Sequence, residues 1–401
     1  MASYLSPGVY VEEVESGPRP IEAVGTSTAG FVGAAPLADV RLDEAVAITN
    51  WSQFEREFVG GATTGTHLAN AVFGFFQNGG SRCYVVNTRA DGPITGKGKG
   101  LDALAAIDEV AIIAAPGRTD PAAYTALLDA AESLKDRVAV LDGPETIDDV
   151  EQLTRAGAEA PPAAEGEASP PAGRRGARTA LRPRESERGY GALYFPWILG
   201  RDAVDPTRLV PIPPSGHMAG VFARTDAERG VHKAPANTAI RGAVGVTRVL
   251  SRAEQEVLNP VGVNCIRFFS REGVRVWGAR TLAPSASNWR YLNVRRLFNM
   301  IEESIAIATR WVVFEPNDRP LWKAIERDVR AFLTLLWRQG ALVGATPEEA
   351  FFVKCDEETN PPDVIDAGQV VTLIGIAPSK PAEFVIFRLG QSAAGAQVEA
   401  A

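Results

Sequence analysis

Two of the three histidines are the residues of this chain best placed for acid–base chemistry. His217 lies in the segment PPSGHMAG and His232 in GVHKAPAN, both rich in glycine and proline. Asp226 and Glu228 are close in the sequence, so a histidine–carboxylate pair that moves a proton is conceivable. No nucleophile motif or phosphate cradle accompanies them, and rigid structural turns are the simpler interpretation of both segments.

The sequence contains no pattern typical of a cofactor or metal site. The glycine–lysine run at 96–100 lacks the hydroxyl residue that a P-loop needs for magnesium. Cys83, Cys265 and Cys355 lie far apart, and no histidine pair has zinc-ligand spacing. We therefore expect no enzyme, with no catalytic, cofactor-binding or metal-binding residues. A cytosolic enzyme that uses the His217 and His232 loops is the alternative.

Composition limits the classes of partner. The 401 residues are 45% hydrophobic and 22% charged, with a formal net charge of −8. Such a chain predicts a globular protein of about two or three domains. The acidic balance argues against nucleic-acid binding. No signal-peptide pattern and no apolar run of about 18 residues occurs, so we expect a cytoplasmic protein without direct membrane insertion.

The N-terminal part of the chain predicts an α/β fold. FVGAA at 31–35 and RCYVVN at 82–87 are expected strands, with an apolar helix, HLANAVFGFFQNGG, between them. EVAIIAAPG at 109–117, a helix that begins near Pro121, and RVAVLDGP at 137–144 form a strand–helix–strand unit. Units of this length favour parallel pairing.

The character of the chain changes from 151 to 189. Leu153 and Leu181 are the only large aliphatic residues there, and alanine, proline, glycine, glutamate and arginine predominate. A segment of this composition cannot bury enough apolar area to offset its ordering entropy. We expect a flexible surface excursion inside a domain, because ALYFPWILG at 192–200 resumes as core-like sequence.

The C-terminal third predicts an α+β module. CIRFF at 265–269 and VRVWGARTL at 274–282 flank a glycine turn and indicate a hairpin. Apolar residues then recur at helical spacing from Val294 to Ala308. A second helix has Asn317 or Asp318 as its candidate N-cap and stops at Gly340, and its apolar positions are Leu321, Trp322, Ile325, Val329, Phe332, Leu333, Leu336 and Trp337.

Three strand-like segments lie at the two ends of the chain: SPGVYVEEV at 6–14, VVTLIGI at 370–376 and PAEFVIFRL at 381–389. Prolines separate the first from the next hydrophobic segment, so it has no local partner for its backbone groups. It must pair with the far end of its own chain or with another molecule. A subunit of an assembly is therefore one hypothesis, and a monomeric binding module whose terminal strands pair with each other is another.

Many of these segments, taken in order, resemble the tail sheath proteins of contractile phage tails and contractile injection systems. SPGVYVEEV is similar to the N-terminal arm of that family. The other similar segments are ALYFPWI, PPSGHMAG, GVHKAPAN, LNPVGVNCIRFF, VWGARTL, LNVRRLFNMIEESI, WVVFEPND, LWRQGALVG and FFVKCD.

The resemblance implies a helical sleeve of stacked hexameric rings around an inner tube, with baseplate and terminal cap proteins at its ends. Contraction of such a sleeve drives the tube through a target envelope. The particle, a phage tail or an injection system, would be assembled in the cytoplasm of the producing cell. The resemblance also implies that terminal strands are exchanged between subunits, and these arm residues would be Val9, Tyr10, Val11, Phe384, Val385, Ile386 and Phe387.

The same resemblance suggests how the chain is divided. We expect an N-terminal arm at 1–20, an outer α/β domain at 21–257, an inner α+β domain at 258–378, and a C-terminal arm and tail at 379–401. The inner domain would lie against the tube. On the second long helix, Lys323, Arg327 and Arg330 form a basic face that is our candidate for this contact.

Overall fold

Strands and helices alternate in the first half of the chain and give way to hairpins and two long helices in the second half. The computed structural model describes residues 20–90, 92–157 and 180–386. The strands of these ranges are β1 (Ala29–Gly33), β2 (Ala45–Ile48), β3 (Cys83–Asn87), β4 (Ile112–Ala114), β5 (Val138–Asp142), β6 (Gly191–Phe195), β7 (Ile198–Arg201), β8 (Leu209–Ile212), β9 (Thr238–Ala239), β10 (Ala243–Val246), β11 (Val263–Phe269), β12 (Gly273–Val276), β13 (Phe351–Lys354) and β14 (Leu373–Ile376).

The helices complete this pattern. In chain order they are α1 (Trp51–Phe54), α2 (His67–Gln77), α3 (Leu101–Ala105), α4 (Pro121–Leu134), α5 (Ser215–Arg229), α6 (Arg252–Leu258), α7 (Leu292–Ala308), α8 (Arg319–Arg338), α9 (Pro347–Ala350) and α10 (Pro362–Asp366). The first helix, α1, continues directly into a π-helical turn, Glu55–Val59. None of these described helices combines the length and apolarity needed to span a bilayer.

In the described ranges, a nine-stranded sheet has the order β2-β3-β1-β4-β5-β6-β11-β12-β9. The pairs from β3 to β11 are parallel, whereas β2, β12 and β9 add antiparallel edges. The predicted strand–helix–strand unit is confirmed as β4, α4 and β5. The Asp120 side chain accepts a bond from the Ala123 N–H and so caps α4, whose first turn holds Pro121.

Helices cover both faces of this sheet. Consecutive strand residues such as Phe31 and Val32 point to opposite faces of the sheet and join separate buried clusters. On one face α2 and α5 approach so closely that only glycine fits at position 216, where a Cβ would lie 2.3 Å from the Ala71 Cα. The segment PPSGHMAG, which we expected to form a rigid turn, is thus the start of α5. Packing against α2 outweighs the low helix propensity of its glycines.

A third buried cluster joins α7, α8 and the antiparallel pair β13–β14. The predicted long helices are confirmed. Asp318 caps α8 by accepting from the Leu321 N–H, and Gly340 takes a φ of 79° just beyond the helix.

Two contacts cross the boundaries of the expected domain division, which stays a prediction. The hairpin β11–β12, assigned to the inner domain that begins at 258, pairs in parallel with β6 and extends the large sheet. Ile21 and Val24, assigned to the outer domain, pack instead with α7 and α8. Both contacts join partners far apart in the sequence, which local patterns do not reveal.

The surface segment expected at 151–189 is shorter than its composition suggests, because residues at both of its ends are packed in the domain. Residues 150–153 form a 3₁₀ turn, and Ala156 forms a parallel bridge with Arg182. Arg182 and Ser186 are buried, and Arg184 forms ion pairs with α4. The packed flanks therefore belong to the domain, and the remainder, 158–179, lies outside the described residues.

Replacing residues 158–179 with a short Gly/Ser linker should lower the melting temperature by no more than about 3 °C, because shortening a surface loop changes its closure entropy little. The ends to be joined are adjacent, since the Gly157 N–H donates to the Arg182 oxygen at 2.9 Å. Extending the deletion through 187 should destabilise the protein strongly. Equal melting temperatures for the two deletions would contradict the packing of the 180–187 flank.

Candidate assembly interface

The predicted arm residues divide between described and undescribed parts of the chain. Val9, Tyr10, Val11 and Phe387 lie outside the described residues. Phe384, Val385 and Ile386 are described, and they are 70%, 72% and 80% exposed. These three residues belong to no strand of the described chain. Three consecutive large apolar side chains in water are a candidate contact surface.

The pair β13–β14 offers strand edges to a partner. Phe351 and Val353 of β13 are buried against the helices, whereas Phe352 and, on β14, Leu373 are 51% and 52% exposed. Apart from the bridge between Leu342 and Pro378 beyond β14, the outer edges of this two-stranded sheet have no strand partner in the described ranges. An isolated strand pair gains stability when further strands are added.

A strained aromatic residue marks a second exposed surface. Phe314 follows the turn after α7 with a φ of 73° and is fully exposed, next to the exposed Val313. A left-handed backbone at a bulky residue costs of order 1–3 kcal/mol, and such residues cluster at functional sites. The Glu315 N–H donates to the Val312 oxygen at 3.1 Å, so Phe314 takes the third position of a type II turn, which usually favours glycine.

The candidate tube-facing residues lie on one side of α8, but their charges are partly balanced. Glu326 forms ion pairs with Lys323 at 2.7 Å and Arg330 at 3.6 Å. Arg327 bonds to Asp328 at 2.9 Å, and the Asp328 side chain is only 9% exposed. The net positive charge of this face is therefore smaller than the sequence alone suggested.

The C-terminal segment is bonded to its own subunit just before the exposed apolar residues. The Glu383 carboxylate accepts from Arg280 Nε and Nη2 at 2.8 and 2.7 Å. Asn259 Nδ2 and the Tyr291 hydroxyl also donate to it, at 3.0 and 3.3 Å. Burial alone would raise the pKa of Glu383, but these bonds together hold it below its ordinary value.

Sequence reasoning missed the bonds that Glu383 makes within the subunit. Glu383 is the one acidic residue of PAEFVIFRL, and an isolated charge in an apolar run was the available signal. Its partner Arg280 is 103 positions away, so no local pattern could have identified the pair.

A second buried ion pair joins three parts of the chain. Asp226 on α5 binds Arg296 on α7 through both guanidinium Nη atoms, at 2.9 and 2.5 Å. Thr26 of the N-terminal segment donates its hydroxyl to Asp226, and its carbonyl accepts from Arg296. The Val24 N–H donates to the Ser304 hydroxyl on α7. The chain that follows the expected N-terminal arm is thereby fixed to the helical module.

The histidine–carboxylate arrangement of the enzyme alternative finds no support. The His217 ring is buried against Gly74 of α2, and its Nδ1 has no hydrogen-bond partner. Asp226 is occupied by Arg296 and Thr26. Burial lowers the pKa of His217 to about 4 and also lowers that of the partly buried His232. Within the described ranges, no group of three or more histidine, cysteine or acidic side chains is placed to hold a metal ion.

The open strand edges and exposed apolar residues of the described chain are typical of a subunit that contacts other chains. The whole chain is similar to the sheath of the PVC extracellular contractile injection system in its contracted state, with 30% identity, a TM-score of 0.77, and coverage of 98% of this chain and 99% of the other. The contracted helical sheath of the anti-feeding prophage is similar, at 30% identity and a TM-score of 0.72, over 96% of this chain and 99% of the other.

The sequence comparisons agree. The phage tail sheath protein central domain matches residues 188–282, and the phage tail sheath C-terminal domain matches residues 285–391. The tail sheath protein of Vibrio phage KVP40 is 32% identical over 184 residues, which are 45% of this chain and 26% of that protein. The matches span less than half the length of the curated relatives. The chain belongs to the family of contractile tail sheath proteins.

Acidification should destabilise the subunit through His217. Its folded pKa of about 4 lies below the ordinary 6.5, so the unfolded chain binds a proton first as the pH falls. The stabilising contribution is complete above about pH 6.5 and is lost progressively towards about pH 4. Against a His217→Asn variant, the free energy of unfolding should fall in this window by up to about 1.4 kcal/mol per pH unit.

Denaturant titrations of both proteins across this window measure the difference. Asp142 titrates in the opposite sense, because burial raises its pKa to about 6 and its contribution is lost as the pH rises. Comparing wild type and variant at each pH cancels that background. Parallel pH profiles would show that His217 is not held neutral by burial.

Proposed function

We propose that this chain is the structural subunit of a contractile sheath, which polymerises as a helical sleeve around an inner tube and contracts to drive the tube through a target envelope. The observation that carries the proposal is the similarity, over almost the whole length of both chains, to a sheath in its contracted state. Partners are further copies of this chain, the tube, and baseplate and terminal cap proteins. The sheath is part of a phage tail or an injection particle.

Strands exchanged between subunits would link the copies of such a sleeve. The exposed residues Phe384, Val385 and Ile386 lie within the C-terminal arm and tail expected at 379–401, and β13–β14 has edges that can accept added strands. A strand donated head-to-tail makes a heterologous contact, which builds an open helix when its rotation does not close. We propose that residues 1–20 and the segment after 383 are the donated strands.

Contraction requires two packings of one subunit, with the donated strands as tethers that survive the change. The energy is then stored in a metastable extended lattice. This mechanism requires no chemical step in the subunit, and the buried His217 and the occupied Asp226 are consistent with it.

Deleting residues 1–19 should leave a folded subunit that cannot build sleeves. Ile21 stays in the helical module, so circular dichroism should be unchanged and the melting temperature within about 3 °C of wild type. Negative-stain microscopy should show striated tubes for wild type alone. A deletion through Val24 is the control, and it should also lower stability because it removes buried contacts. Long sleeves from the 1–19 deletion would exclude donation by the N-terminus.

Reversing charge on α8 should weaken association with the tube while sparing sleeve formation. We choose Lys323→Glu with Arg330→Glu and keep Arg327, because it neutralises the buried Asp328. Co-sedimentation with the tube should fall by roughly fivefold or more, as opposed charges steer and specify association. Arg56→Glu, at an exposed position of the α/β part, is the matched control. Unchanged co-sedimentation of the double variant would place the tube contact elsewhere.

A further inference from the structure

The bond between Glu383 and Arg280 has little freedom to shift. The Arg280 side chain is 9% exposed and that of Glu383 is 18% exposed. Asn264 also holds the Arg280 backbone, since its Oδ1 accepts from the Arg280 N–H and its Nδ2 donates to the Arg280 oxygen, both at 2.7 Å. A bidentate guanidinium–carboxylate pair on such a support fixes both the position and the direction of the glutamate.

The environment of the chain changes at Glu383. Before it, the Ser379 N–H donates to the Ala341 oxygen, and the Ser379 oxygen accepts from Asn293. After it, Phe384 and the two residues that follow are at least 70% exposed. Glu383 is therefore the last residue of the described chain whose side chain is bonded to its own subunit.

We propose that the Arg280–Glu383 pair is the anchor at which the C-terminal arm leaves its own subunit, and that it aims the arm at the neighbouring one. This inference rests on the proposed function. An arm held at a fixed point and direction loses less conformational entropy when it joins a neighbour's sheet, so assembly is favoured. When subunits move during contraction, tension on the arm reaches this pair before it reaches the strand pairing at 377–379.

The space around the anchor fits this role. A groove of about 600 Å³ runs beside the start of the arm and is lined by α6, Trp277 and residues 381–385. The first residues of the arm, Phe384 and Val385, therefore lie beside open space on their own subunit.

The test uses Glu383→Gln, Arg280→Gln and the double variant in the full chain. A spin label on Val385→Cys reports the mobility of the arm in isolated subunits, since the native cysteines are buried. Glu383→Gln should increase label mobility and raise the critical concentration for sleeve assembly roughly tenfold, the effect expected from losing a charged hydrogen-bonded pair. The melting temperature should change far less.

The double variant separates anchoring from the cost of an unpaired buried charge. If the single variant failed only because Arg280 lost its partner, the double variant would assemble as wild type does and would overturn the inference. We expect it to stay as defective as the single variants, because the two residues act as one unit. Glu132→Gln, which breaks the similar Arg184–Glu132 pair far from the arm in sequence, should leave assembly and label mobility unchanged.

The failure of the anchor and the failure of the proposed function give different results. Wild-type protein that forms no sleeves under any condition contradicts the proposed function, while the label on isolated subunits still tests the anchor. Wild-type sleeves together with unchanged label mobility in Glu383→Gln contradict the anchor alone.

Discussion

The buried ion pair between Asp226 and Arg296 joins the large sheet, through α5, to the helical module of α7 and α8, and the relative placement of these two parts depends on it. Asp226 lies on α5, which packs on the sheet, and Arg296 lies on α7 of the helical module. The side chains are 9% and 3% exposed, so removing one partner would leave an uncompensated buried charge, at a cost of about 3–5 kcal/mol. Thr26 adds the N-terminal segment to the same cluster.

Both ends of the described chain lie at or beside the helical module. Ile21 packs with α7 and α8, and Glu383 is bound by Arg280 and by Tyr291, the residue before α7. In the proposed assembly, both arms therefore start beside α7 or the residue before it. The helical module is joined to the large sheet through α5.

The rival interpretation, an enzyme that uses the His217 and His232 loops, is supported neither by the geometry nor by family membership. The histidine in PPSGHMAG is a packing residue of a helix, pressed against a glycine of its neighbour. The nearby carboxylate that could have oriented a histidine stabilises a guanidinium instead. A glycine- and proline-rich motif can therefore mark close helix packing as readily as an active-site loop.

The sequence by itself determined the elements that depend on near neighbours. The parallel unit of β4 and β5, the start of α4 near Pro121, the cap of α8 and the hairpin β11–β12 follow from periodicity and capping residues within a few positions of each other. The similarity of the motifs also identified the family, whereas the arm residues and the tube-facing residues on α8 stay predictions.

Only the tertiary structure decided which distant residues meet. That β11 extends the sheet beside β6, that Ile21 belongs with the helices, and that Glu383 binds Arg280 are pairings across long stretches of chain. Each depends on how whole elements pack, and the same residues in another arrangement would leave an identical local pattern. The physical reason is that short-range propensities act between neighbours, while burial and charge pairing act between whatever the folded chain brings together.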